Sequence, residues 1–361
     1  MAACAKHFPG DGVDFRDQHL HPTYNTLSAP EWRATYGAVY RSMIGKGLLS
    51  VMVGHICQPA MEAQYEDVSP ETALPGSLSR GLLTGVLRGE LGFNGLICTD
   101  ATIMGGYTMP MERKDAIPAS FAAGIDMIVF STDVEEDFSY VRAALKDGRL
   151  SQERLDEAVM RILALKVKVC GQVHAEPVPA KAWQKLCADH AVTLVKNNAG
   201  LLPVSADKYP KIRLMLLGSV ECWDGNIREL FTEELTRRGF SVEQYDPFAD
   251  DLHGTSSLPA DRLTLAVLHY PHASNQTTVR VNWCPKHALE IPRFVNEEAI
   301  VFVSLANPYH LQDVPRVKTF INAYTPTCAT IQAVVEKLCG ESNFEGKSPV
   351  DPFCGLMDTK L

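Results

Sequence analysis

The stretch ELGFNGLICTDATIMGGY (residues 90–107) closes a helical pattern at Gly92, turns, and enters a short apolar run that stops on Asp100. A run this short, bounded by turn residues, predicts a buried strand over 95–100. An acid at the end of such a strand is costly unless it is paired or does chemistry. Its structural alternative is the N-cap of a following helix.

Working outward, the same unit recurs. AACAKHF (2–8) reads as a strand running into a polar loop, LLSVMVGHI (48–56) as a second buried strand and DMIVF (126–130) as a fourth. Helical patterns fill the intervals at 27–46, 77–92 and 115–124, and two more helices are predicted at about 134–147 and 151–168. Strands separated by single helices imply βα units and a parallel sheet. Polar residues follow each strand in turn: Lys6 and His7, His55, Asp100, Ser131. Ligands of α/β folds bind at these carboxyl ends, and a barrel carries its active site on the same face.

Beyond a Pro-punctuated segment at 170–183, WQKLCADHAVTLVKN (183–197) reads as a connecting helix. A second α/β pattern then starts, with strands at 212–219, 263–270, 299–307 and 318–325 and helices at 224–238 and 330–338. The expected division is 1–170, a linker with connecting helix over 171–199, and a second domain over 200–361. VLHYPHASN (267–275) carries His269 and His272, which read as core and loop residues.

Composition narrows the function classes. The 361 residues carry a net charge of −9, which argues against nucleic-acid binding through phosphate neutralisation. No apolar run approaches the 18 residues of a membrane span. The ten cysteines form no CxxC pair, and several sit inside apolar runs. They read as reduced thiols, which points to the cytoplasm.

The loop KHFPGDGVDFRDQHLHP (6–22) concentrates titratable groups between Pro9, Gly10 and Gly12. Three readings are open. Asp17, His19 and His21 could ligate a metal. The loop could be a solvated acidic surface. Asp17 and His19 could form a dyad in which the carboxylate orients an imidazole that works as acid and base.

Taken together, KHFPGDG, the DQH that follows it and GFNGLICTD resemble glycoside hydrolase family 3 in its β-N-acetylhexosaminidase branch. VMVGHI, AGIDMIVF, RLDEAVMRILALK and HAVTLVKNNAGLLPV follow in the family's order, and FVSLANPYHLQDVPRVKTFINAY with GKSPV resembles the second domain of its longer members. The resemblance implies an α/β chain: the C-terminal half of a (β/α)8 TIM barrel followed by an α/β sandwich domain. It implies Asp100 as the nucleophile of a covalent glycosyl intermediate and His19 as acid and base, supported by Asp17. Lys6 and His7 would hold sugar hydroxyls, and His55 would line the same pocket. No cofactor or metal is implied. The partner is a carbohydrate, a terminal N-acetylhexosamine or related β-glycoside. DQH favours the hexosaminidase branch over the β-glucosidase branch, which is expected to lack this dyad. Asp11 stands where many members have His, and Thr99 where many have Ser.

In the family about half of the barrel precedes KHFPG, so the chain resembles a fragment with open sheet edges. The expectation is self-association through those edges and no turnover by the 361 residues alone. Phosphorolysis is the rival reaction, because a His acid does not repel phosphate as a carboxylate would. An inactive binding remnant is the rival from another class.

Overall fold

The structure is a computed structural model, and it describes residues 1–171, 179–246, 259–271, 279–283 and 295–361. The chain divides into two compact units, Met1–Ala175 and Glu176–Leu361. Among the described residues no helix is long and apolar enough to cross a membrane.

The first unit is built on four strands: β1 Cys4–Phe8, β2 Ser50–Val53, β3 Leu96–Ala101 and β4 Met127–Val129. They are parallel and lie in the sheet in their order along the chain. Sequential order, with helical connections between neighbours, is the arrangement of a (β/α)8 barrel, of which this unit carries four strands. Alternation along the strands places Ala5, Val51, Val53 and Ile97 on the helical side, where they pack with Trp32, Tyr40, Leu82, Leu83, Val86 and Leu87. Cys4, Ser50, Met52, Cys98 and Asp100 alternate to the other face.

Local chemistry sets the helix ends. Ser28 and Glu31 make a reciprocal capping box, and Pro30 sits in the first turn. The single helix expected over 27–46 is instead two, Ala29–Ala34 and Tyr36–Gly45, because Thr35 leaves helical geometry at φ −110°, ψ −89°. The strand expected over 48–56 stops at Val53. Ile56–Cys57 then pairs with Thr23–Tyr24, tying the loop that follows β1 to the one that follows β2.

The second unit holds a six-stranded sheet. Its strands are β5 Thr193–Asn197, β6 Lys211–Gly218, β7 Ser241–Gln244, β8 Arg262–His269, β9 Ala299–Ser304 and β10 Thr319–Asn322. The order is β7-β6-β8-β9-β10-β5, with β5 alone antiparallel. Leu263, Leu265 and Val267 of β8 pack on the side of helices Ala180–Ala191, Ile227–Arg237 and Cys328–Leu338, and Ala266 and Leu268 pack on the other. Both faces are covered, as a sandwich requires.

The segment expected as linker and connecting helix therefore needs correcting. Helix Ala180–Ala191 and strand β5 are parts of the second unit, and 193–197 is strand rather than helix. Thr193 and Val195 are β-branched, and β5 pairs with β10 to cover that edge of the sheet. His269 is buried and donates through Nδ1 to the Ser219 carbonyl at 2.9 Å. His272 lies outside the described residues.

Candidate active site

The sequence-predicted residues gather at the carboxyl ends of β1, β2 and β3. Asp100, near the end of β3, accepts through Oδ1 from the amide of Ala101 at 2.8 Å, and its Oδ2 lies 3.2 Å from His7 Nε2. His7 Nδ1 in turn meets Asp11 Oδ2 at 2.5 Å. The imidazole is thus held between two carboxylates; a neutral ring donates to one of them and a doubly protonated ring to both. Asp100 keeps 14% of its side chain exposed, enough for a ligand to reach it.

His19 and Asp17 form the expected pair. His19 Nδ1 is 2.7 Å from Asp17 Oδ1, which also accepts from the His19 amide at 2.9 Å. With Nδ1–H donating to the carboxylate, Nε2 is left to exchange a proton with a ligand. The His19 side chain is 36% exposed.

The loop is locked onto the segment after Asp100 through two glycines. Gly105 donates to the His19 carbonyl at 2.8 Å and Gly106 to that of Gln18 at 3.1 Å. A Cβ on Gly105 would lie 2.2 Å from the Leu20 carbonyl oxygen, and one on Gly106 would lie 2.7 Å from the Gln18 carbonyl oxygen and from His55 Cβ. Only glycine permits so close an approach.

His55 departs from its expected role. It is fully buried, donates through Nε2 to the Ala101 carbonyl at 3.0 Å, and accepts through Nδ1 from Ser77 Oγ at 2.8 Å. Both nitrogens are used, so the ring does not line a pocket. It braces the backbone beside Asp100. Burial pulls its pKa from 6.5 down to about 4, against the opposing pull of the Ala101 carbonyl and Asp100; the His19 and His7 rings are also close enough to act on it.

This has a consequence in acid. The unfolded ring takes up a proton near pH 6.5, the folded ring only near 4. Stability present above pH 6.5 is therefore lost as pH falls through that window, by about 3 kcal/mol. Urea unfolding between pH 7 and pH 4.5 should show this slope, and His55→Gln should flatten it. An unchanged slope in the variant would exclude His55 as its source.

Lys6 is exposed beside His7 on β1. His21 donates through Nδ1 to the Pro22 carbonyl at 3.3 Å, away from the dyad. Among the described residues no three His, Cys, Asp or Glu side chains converge to hold a metal. A cavity of about 940 Å³ lies at the amino ends of β2 and β3, lined in part by Leu48, Leu49, Phe93 and Met160. None of the site residues borders it.

Sequence reasoning missed Gln18. It is buried, accepts from the His55 amide at 2.7 Å and reaches Asp11 at 3.4 Å, so it joins two points of the loop to each other and ties the loop to the segment that follows β2. The adjacent glycines at 105 and 106 were the signal available for a close backbone approach.

The family profile described as "Glycosyl hydrolase family 3 N terminal domain" matches residues 1–165. A protein of Cellulomonas fimi named "Beta-N-acetylglucosaminidase/beta-glucosidase" is 40% identical over 384 residues, covering all of this chain and 68% of its own length. A "Beta-hexosaminidase" of Nitrosospira multiformis is 32% identical over 135 residues, which is 37% of this chain and 36% of that protein. Among solved structures, "Beta-glucoside phosphorylase BglX" superposes with a TM-score of 0.84 at 41% identity, covering 99% of this chain and 67% of that one.

Proposed function

The chain belongs to glycosyl hydrolase family 3, and from that premise we propose that it serves as a retaining, exo-acting β-N-acetylhexosaminidase cleaving terminal β-linked N-acetylglucosamine. The observation that carries the reading is the Asp17–His19 pair, at 2.7 Å, on a loop bonded to the segment that follows Asp100. Asp100 attacks the anomeric carbon while His19, protonated at Nε2, gives that proton to the departing oxygen. A covalent glycosyl-Asp100 ester results. His19, now neutral at Nε2, takes a proton from water, and the hydroxide equivalent displaces Asp100 from the same face that the leaving group left. Asp17 holds the tautomer throughout. We assign His7 to orienting Asp100, and Lys6 to the sugar hydroxyls.

A second reading, phosphorolysis, has support of its own in the likeness to a protein named as a phosphorylase. Phosphate would then displace Asp100 in place of water. The two are separated by incubating an N-acetylglucosaminide and a glucoside with and without phosphate. The hydrolase reading expects free β-anomeric sugar at a rate indifferent to phosphate. Sugar 1-phosphate formed only with phosphate would replace it, and no release under either condition would favour the inactive-remnant reading. Because β1 and β4 are the sheet's edges, with one neighbour each among the described residues, we also propose self-association there; light scattering on the same sample should show species above the monomer mass.

A further inference from the structure

The loop that carries the dyad also presents an aromatic ring to solvent. Phe15 is 98% exposed, while the residues on either side of it are tied down. Asp14 accepts from the Arg16 amide at 2.9 Å, from Arg16 Nη2 at 2.6 Å and from the Tyr24 amide at 3.0 Å. The Arg16 guanidinium lies 6.0 Å from the centre of the Tyr24 ring. With Asp14 bonded to the Tyr24 amide and Arg16 paired with Asp14, residue 15 is turned out. The outward position is thus built by the loop and is not the result of a loose chain.

A fully exposed phenylalanine leaves a large apolar surface in water, and its position is informative. Two Cα–Cα steps separate it from Asp17, so their Cα atoms are no more than about 7.6 Å apart. An acid must lie within hydrogen-bond reach of the oxygen it protonates. The segment carrying His19 therefore flanks the leaving group, and Phe15 lies on the same loop, four residues before His19. Beside the ring is a hollow of about 370 Å³ lined by Val13, Asp14, Phe15, Arg16, Tyr24 and Thr26. A pyranose has the matching surface: C–H bonds on its faces and hydroxyls around its edge.

We infer that Phe15 is a specificity-determining residue on the leaving-group side, whose ring packs against the second sugar of a disaccharide or longer substrate. The inference rests on the glycosidase reading above. It predicts a preference for sugar over small alkyl leaving groups, without any contact to the sugar that is transferred.

The test is calorimetric titration of full-chain Asp100→Asn protein, in which substrate stays intact. The probes are the β-1,4-linked disaccharide of N-acetylglucosamine and the free monosaccharide, with the corresponding glucose pair in parallel. Adding Phe15→Ala should raise the disaccharide Kd between about threefold and tenfold and leave the monosaccharide Kd unchanged. Phe15→Trp should restore it. Equal changes for both sugars, no change for either, or a lowered Tm with unchanged Kd values would overturn the inference while leaving the glycosidase reading intact. A parent protein that binds neither pair would overturn both.

Discussion

Asp100→Asn is expected to abolish turnover, lowering kcat by about 10⁴-fold or more in a preparation that releases aryl aglycones. The reason is chemical. The amide keeps the size of the carboxylate and can still accept from the Ala101 amide, the 2.8 Å bond that fixes Oδ1. What it loses is the charge that attacks the anomeric carbon. Tm should therefore change little, and a fluorinated-sugar inactivator that labels the parent at Asp100 should leave the variant unlabelled. Labelling at another carboxylate, with Asp100→Asn still active, would assign the nucleophile elsewhere.

The second large effect is expected at His19, and it should depend on the substrate. Alkyl and sugar leaving groups need a proton as the bond breaks, and His19→Ala should slow them by about 10²–10⁴-fold. A nitrophenolate leaves without that help, so the first step on activated aryl glycosides should fall far less. Asp17→Asn should show a smaller version of the same contrast, since it removes only the partner that holds His19 Nδ1 at 2.7 Å. Rate constants for a series of aglycones of graded acidity would check both. A uniform loss across the series would make the dyad a structural clasp for the loop.

Much of the scaffold was legible because its causes are local. The segments over 2–8, 48–56 and 95–100 could be read as strands because each is a short apolar run between turn residues, although the second strand stops at Val53. Gly124, at φ +132°, ends its helix where the pattern stopped. The spacing of Asp17 and His19 is likewise local, and two residues on one turn can meet whatever surrounds them.

Other features depended on which distant segments end beside one another. Nothing near His55 in the chain shows that Ser77 and the Ala101 carbonyl will take both of its nitrogens and remove it from the pocket. Asp11, His7 and Asp100 form a chain only because β1 and β3 bring their carboxyl ends together. Gln18 gains its role from the amide of His55, 37 residues away. Residues 193–197 became a strand because β10 offered an unpaired edge, against a helical reading that covered them. Hydrophobic period and turn chemistry act over a few residues and can be read along the chain. A buried hydrogen bond between loops is set by where the folded strands place their ends, so the sequence by itself determined the units and the dyad, and the tertiary structure decided which neighbouring polar groups reach the site and which are consumed in holding it.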